Sequence, residues 1–291
     1  MKIIDTTTFF EEKLMMEIRF NILDPFVDKF VVCESKYSHS GKKKKINFDI
    51  EDYPKFKNKI IHLIVEKEPD NLIIKDKLST VEKRHNSVIR IKYQRNFIMS
   101  QLSQFSPEDF IIHSDNDEIP NLEKFDLMNS KKKFIIFNQR IFYYKLNLLL
   151  PSLNWYGSKA CRLKDIIDIN NLRTIKNKKY SIFRFDTFFS KVKHQSVDIV
   201  HEGGWHFSNL KDINELENKY LNDENHSEYE AQGFTLDRIK NNIENQVIDY
   251  NHAAKKNSDQ RFNQTKLDVV KVDFLPKYIK DNLDKYKKWI V

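Results

Sequence analysis

A short apolar run, Phe110 to Ile112, gives way almost at once to Asp115, Asp117 and Glu118 in the stretch DFIIHSDNDEIP at 109–120. Three carboxylates in four residues repel one another, so the cluster calls for a cation or a donor network to hold it. An apolar run of that length followed by polar residues reads as a buried strand. In open α/β sheets, ligands bind outside the carboxyl ends of the strands. The segment therefore points to a divalent metal at the mouth of a sheet, and such metals commonly hold phosphates. The structural alternative is an Asp-rich turn capping a helix that begins near Pro120.

The flanking sequence supplies the rest of such a sheet. Lys2–Ile4 and Ile60–Val65 read as strands. Phe30–Cys33 is a continuous apolar run ending in Glu34-Ser35, as expected for a buried parallel strand. Phe10, Leu14, Ile18 and Ile22 recur every four residues and predict a helix that stops near Pro25. Residues 79–105 carry the longest helical signal, through Val88, Ile91, Ile98, Leu102 and Phe105. Arg84 and Arg95 fall on that same stripe. An inward guanidinium needs a carboxylate or a phosphate as partner, unless its stem carries it out past the core. A short helix is expected over 121–128 and a strand at Phe134–Phe137, with strand-like sequence continuing to Tyr144. The segment 150–198 gives no clear pattern. Ile199-Val200 leads into GGWHFS at 203–208, and helices are expected near 211–221 and 235–250, with an extended and then helical tail from 272. Strands alternating with helices indicate one layered α/β domain over 1–291, its C-terminal part, from about 235, helical.

Composition narrows the chemistry. The chain has only 5 Gly in 291 residues, with neither G-x-G-x-x-G nor a P-loop, which disfavours dinucleotide-binding and P-loop NTPase domains. The net charge is +8, with lysine blocks at 42–45, 131–133, 176–179 and 287–288. Those blocks suit solvated faces, or attraction to anionic donors or an anionic membrane surface. A basic nucleic-acid module is a rival, although no aromatic–basic interleaving of a known kind is visible and no nucleic-acid partner is expected. The 2 cysteines, Cys33 and Cys161, form neither a disulfide framework nor a zinc spacing. No signal peptide and no apolar span of membrane length is seen, so the expected location is cytoplasmic, peripheral to a membrane at most.

Within this frame several residues carry candidate chemistry. Asp115 and Asp117, two apart at a strand end, point the same way, and hard oxygen ligands select Mg²⁺ or Mn²⁺. The same pair also suits a metal-dependent nucleotidyl- or phosphotransferase. His206 follows two of the glycines and is a candidate third ligand, or a histidine bonded within a turn. Trp205 is a stacking platform or a core residue. Glu34, Ser35 and Lys44 stand where they can meet a nucleotide or cap a loop.

The chain is also similar to a known family. Phe9-Phe10-x-Glu12 followed by Glu17-Ile18-Arg19, Val27-Asp28-x-Phe30-Val31-Val32-x-Glu34-Ser35, and Ser38-His39-Ser40-Gly41-x-x-Lys44 resemble the opening of glycosyltransferase family 17, which includes β-1,4-mannosyl-glycoprotein 4-β-N-acetylglucosaminyltransferase. Gln94-Arg95-Asn96, SDNDEIP at 114–120, GWHFS at 204–208 and a weaker tail match from Leu275-Pro276 to Asn282 follow in order, with nothing matched between about 145 and 198. The resemblance implies a GT-A-type nucleotide-sugar-binding fold. It also implies inverting transfer of a sugar, N-acetylglucosamine from UDP-GlcNAc in the best-known members, to a glycan hydroxyl with Mn²⁺ or Mg²⁺. In this chain Asp115 and Asp117 match the family's acidic metal motif, Glu34-Ser35 its donor-side strand end, and His206 its Trp-His motif. Arg84, Arg95 or Lys44 would neutralise the leaving UDP, with Glu118 and Glu202 as candidate bases. The chain departs from the family pattern at Asn116, where Val is usual, and at Lys43 and Lys45, where proline is frequent.

Overall fold

Strand β1 reads IIDTTTF, and six of its seven residues are buried despite Asp5 and three threonines. Such a strand has to sit in the middle of a sheet with both faces covered. The computed structural model describes residues 1–224, 226–227, 235–249 and 263–291. In it β1 (Ile3–Phe9) lies between β4 (Phe110–Asp115) and β2 (Lys29–Ser35), with β3 (Ile60–Val65) beyond, all parallel. On the other side β9 (Lys159–Arg162) runs antiparallel to β4, followed by β6 (Phe134–Phe137) and β10 (Val197–Val200), parallel to each other. This is the mixed, mostly parallel sheet flanked by helices that the sequence called for.

A second sheet has the order β14 (Asp268–Val269), β8 (Leu148–Trp155), β7 (Gln139–Tyr143), β11 (Gly204–Ser208) and β5 (Glu118–Pro120). Three of its strands continue directly from the first sheet: β5 follows β4 through the acidic turn, β7 follows β6 across Asn138, and β11 follows β10 through Gly203-Gly204. Gly204 has φ +140°, and a Cβ there would stand 2.1 Å from the Ile119 carbonyl oxygen, so only glycine lets β11 pass this close to β5.

Helix α1 (Lys13–Leu23) buries Met15, Met16, Ile18, Phe20 and Leu23, and Arg19 with them. The expected stripe was therefore rotated: Phe10 precedes the helix, and Leu14 and Ile22 are only partly buried. Phe20 stands at the centre of an aromatic cluster, 4.7 Å from Phe30, 5.1 Å from Tyr53 and 5.5 Å from Phe56. Each such pair adds about 0.5–1.5 kcal/mol beyond area burial. One core cluster runs from Ile3 to Tyr286, so the first strands and the last helices share an interior.

Helix α2 (Thr80–Phe97) begins with a capping box between Ser79 and Glu82. It stops at Phe97, and a short α3 (Met99–Leu102) follows, so the expected helix to 105 is broken. No helix forms over 121–128. Instead the Asn121 N–H is bonded to the Gly203 carbonyl, and the Asp126 carboxylate accepts from Met128 N–H and the Asn129 amide, which fixes turns. The patternless stretch 150–198 contains the end of β8, β9, α4 (Ile169–Thr174) and the first half of β10. Helix α5 (Ile213–Asn222) matches the expected 211–221. The second expected helix is shorter, α6 (Leu236–Glu244). The C-terminal part is not continuously helical: after α6 come β12 (Val247–Ile248), β13 (Thr265–Lys266), β14, and two four-residue helices, α7 (Lys277–Lys280) and α8 (Leu283–Tyr286), while residues 250–262 of that expectation lie outside the described residues. Among the described residues no helix is long and apolar enough to cross a membrane.

Candidate active site

Parallel strands bring their carboxyl ends to one edge of the sheet, and register decides what meets there. Thr8 of β1 stands opposite Asp115 of β4. A cleft of about 270 Å³ opens at this edge, lined by Thr8, Glu12, His39, Gln94, Arg95, Asp115, Asp117, Lys219 and Glu224 among others. It lies outside the carboxyl ends of the strands, where α/β sheets bind ligands.

The acidic turn is held from beneath by Arg19. Its guanidinium forms a paired contact with Asp5, at 2.8 and 2.5 Å, and both side chains are essentially inaccessible. The remaining terminal nitrogen donates to the carbonyls of Glu118, at 2.7 Å, and Asp115, at 3.3 Å. The buried ion pair thus fixes the backbone that presents the cluster.

Asp115 faces the cleft with its side chain 33 % exposed. Arg95 donates to both of its oxygens, at 2.8 and 3.1 Å, and Arg173 from α4 donates to Oδ2 at 2.8 Å. Burial pushes the Asp115 carboxyl up, but Arg173 and Arg95 more than reverse this and hold it well below the carboxylate range. Asp117 meets His206 at 3.5 Å and Lys219 of α5 at 3.9 Å. Here too burial opposes ionisation and is outweighed, by His206 first and then Lys219. His206 answers in kind: burial lowers its pKa, and the Asp117 charge brings it above the usual histidine value. The departure at Asn116 has a local use, since its amide donates to Glu12 Oε2 at 2.6 Å across the cleft floor.

Strand alternation sorts the Trp-His motif. His206 pairs in register with Glu118 and turns toward Asp117. Trp205 turns the other way, and its indole N–H donates to the Phe274 carbonyl at 2.7 Å. Glu202 lies with Trp205, in a separate pocket with Lys124 and Arg140, each of which it meets at 2.7 Å. The expectation that Trp205 and Glu202 serve the acidic cleft is corrected by this geometry.

Glu118 is also displaced from its expected part. It is buried, with Arg173 at 2.5 Å, the Trp155 indole at 2.5 Å and the Asp115 N–H at 3.0 Å around its carboxylate. A Cβ at Gly157 would collide with that carboxylate, so the glycine makes room for it. Glu118 counterbalances Arg173 beneath the cleft and has no open path to an acceptor.

Glu34, Ser35 and Lys44 are likewise drawn into structure. Glu34 is fully buried, with Lys44, the N–H groups of Asn47 and Phe48, and His62 around it. Burial raises its pKa, and His62 and Lys44 beside it bring it below the ordinary value. The Ser35 hydroxyl accepts from the Tyr37 N–H at 3.0 Å. These residues staple the loop at 36–48 to the sheet, and none of the three lines the cleft. Arg84 also lies away from the two aspartates, reaching Glu224 at the cleft rim at 3.4 Å.

Sequence reading missed Arg173, Lys219, Arg19 and Asp5. Arg173 lay in the patternless stretch. An acid inside an apolar first strand and an arginine on the buried face of the next helix are a detectable signal for the Asp5–Arg19 pair.

Whether this site suits a divalent cation turns on the free oxygens and nitrogens. Among the described residues no cluster of three or more ligating side chains is preassembled. Asp115 is committed to two guanidiniums. Asp117 and His206 remain, side by side, and His206 Nδ1 is buried without a partner. Mg²⁺-type ions commonly take one or two protein ligands and complete their shell with water and substrate phosphate, so this pair suits such an ion, whereas the Asp115 oxygens already accept from Arg95 and Arg173.

Among solved structures, a search returns HddC from Yersinia pseudotuberculosis, at 11 % identity and TM-score 0.34, covering 70 % of this chain and 92 % of that one. It also returns a glycosyltransferase involved in glycosylation of the major capsid of PBCV-1, at 9 % identity and TM-score 0.29, covering 69 % and 82 %. Likenesses this weak carry no argument. No curated protein matches. The model of glycosyltransferase family 17 matches residues 1–289. Nearly the whole chain, acidic turn and Trp-His strand included, falls within that match, and the chain belongs to glycosyltransferase family 17.

Proposed function

We propose that this glycosyltransferase takes its sugar from a nucleoside-diphosphate donor, with UDP-N-acetylglucosamine the first candidate, in the cleft at the end of β4. The observation that carries the reading is the placement of Asp117 and His206 side by side at the carboxyl edge of parallel strands, with Lys219 beside Asp117 and with Arg95 and Arg173 on the neighbouring Asp115. The three cations suit a diphosphate, while Asp115 keeps two of them aimed. A divalent ion, Mn²⁺ or Mg²⁺, held by Asp117 and His206 would add charge neutralisation for the departing diphosphate.

In the transfer, the bond from the anomeric carbon to the phosphate oxygen breaks and UDP leaves. The acceptor hydroxyl oxygen bonds to the same carbon from the opposite face, inverting it, and its proton passes to a carboxylate. Glu118 and Glu202 do not face that position. Glu12 lines the cleft, but it is held by Asn116 and two backbone N–H groups, and burial of its carboxyl is outweighed by Lys211 and Lys219, which lower its pKa. Asp223 and Glu224 also line the cleft, Glu224 meeting Arg84 at 3.4 Å, and both join Glu12 as carboxylates that an acceptor entering there would meet.

The test is product analysis with a panel of nucleotide sugars and glycan acceptors. UDP release with an inverted anomeric linkage supports the reading. Release of pyrophosphate, or transfer of phosphate, would mark a nucleotidyl- or phosphotransferase and overturn it.

A further inference from the structure

One segment outside the cleft breaks the rule that soluble surfaces scatter their apolar residues. Ile182, Phe183, Phe185, Phe188 and Phe189 are exposed by 70, 77, 71, 70 and 92 %. They fall within eight residues, while the other large hydrophobics exposed among the described residues are spread singly along the chain. Leaving five such side chains in water is costly, so the segment needs something to cover it.

The segment is not a loose tail. Thr187 is buried, its hydroxyl donating to the Arg184 carbonyl at 2.7 Å and accepting from Gln195 at 2.9 Å. Gln195 also donates to the Ile182 carbonyl at 3.3 Å. At its base the Asn171 amide donates to the Lys191 carbonyl, and the Lys176 N–H to the Val192 carbonyl. The turn is tied to α4 and its neighbourhood, and the phenylalanines project from it at a tip.

Charge identifies the occupant. Lys176, Lys178, Lys179, Arg184, Lys191 and Lys193 flank the tip, against the single acid Asp186 within 176–193. That acid is spent internally, on Arg184 at 2.8 Å and Lys193 at 2.9 Å. Exposed aromatic rings with lysines on either side of them in the chain suit the interface of an anionic bilayer. There the rings enter the headgroup layer and the lysines meet lipid phosphates. A flat protein partner would be served better by a helix or sheet face than by an irregular projecting turn.

We infer that residues 180–193 form a membrane-docking turn for anionic phospholipid surfaces. The same α4 that anchors this turn carries Arg173, whose guanidinium meets Asp115, so docking sets the turn on an element that also borders the cleft. Vesicle binding needs no donor, metal or turnover, so this inference and the donor reading can fail separately.

The experiment is co-sedimentation of the full chain with phosphatidylcholine vesicles, with and without phosphatidylglycerol. The variant Phe188→Ser/Phe189→Ser is run beside it, its fold checked by an unchanged melting midpoint. The expected result is pelleting with the anionic vesicles only, weakened by added salt, and a loss of roughly tenfold or more in partitioning for the variant. Wild-type protein that stays in the supernatant with both vesicle types overturns the inference, as does equal binding by the variant. Sedimentation velocity and a mixed-sequence RNA titration complete the test. Self-association abolished by the variant without vesicle binding, or RNA binding that displaces the vesicles, assigns the turn to another partner and also overturns it.

Discussion

Two arginine–carboxylate assemblies stand on neighbouring strands of the same sheet. Arg19 and Asp5 are sealed from water, at 0 and 1 % exposure. Arg95 and Arg173 hold Asp115, but that carboxylate remains 33 % exposed at the cleft. The chemistry is the same and the use differs. A sealed pair has spent its hydrogen bonds on its own chain: Arg19 fixes Asp5 and the carbonyls of the acidic turn. A pair open to a cleft leaves its carboxylate and part of Arg95 on the cleft wall, within reach of a ligand. Charge alone does not make a site; what remains accessible beside a cavity does.

The comparison breaks most visibly at Arg19. Arg19→Ala leaves Asp5 charged and buried, and should cost about 3–5 kcal/mol in chemical denaturation. A loss below about 1 kcal/mol would mean that the sealed pair is not a support of the turn. Arg173→Met should cost less, about 2–3 kcal/mol, because Trp155 and the Asp115 N–H still serve Glu118. It should also weaken donor binding, which Arg19-type damage without unfolding would not do selectively. Equal effects of the two variants on stability, with donor affinity untouched by Arg173→Met, would erase the distinction drawn here.

A third prediction uses pH. Lys159, beneath α4, is buried, and its ammonium donates to the Arg173 and Ile175 carbonyls at 2.7 and 2.5 Å. Burial, reinforced by Arg173, lowers its pKa to about 7. In the unfolded chain the group keeps its proton to about pH 10.4. Between those values the unfolded state binds more protons, so this group's contribution to stability rises with pH. Lys159→Met should remove that rise, seen as a flatter alkaline limb than wild type in denaturation from pH 7 to 10. Identical limbs would place the lysine in water. The smallest effect is expected at Glu202→Gln, which should leave turnover within about twofold, since exposed surface pairs contribute little. A large loss there would bring the Trp205 pocket into the reaction.

How much of this was readable in advance follows from what each signal depends on. The parallel strands, the acidic end of β4 and the long helix expected over 79–105 come from local apolar runs, which periodicity detects, whereas the helix's break after Phe97 does not. His206 beside Asp117 was expected from the family motif, and the period-two rule on β11 already sends Trp205 to the other face. Arg173 was invisible because it reaches Asp115 and Glu118 from a six-residue helix in a stretch with no period. Glu118, Glu34 and Lys44 read as chemistry because a carboxylate or ammonium in sequence gives no sign of its partners. Only the folded register showed that Glu34 is consumed by Lys44, two backbone N–H groups and His62.

The central claim is that Asp117 and His206 form a cation-assisted grip on a donor diphosphate. The most direct measurement is thermal stabilisation by UDP-N-acetylglucosamine with Mn²⁺, compared between wild type and Asp117→Asn. A donor-dependent rise in melting temperature is expected for wild type, removed by EDTA and absent in the variant, whose own melting temperature stays close to wild type. Equal stabilisation of both proteins, or a rise indifferent to EDTA, would contradict it.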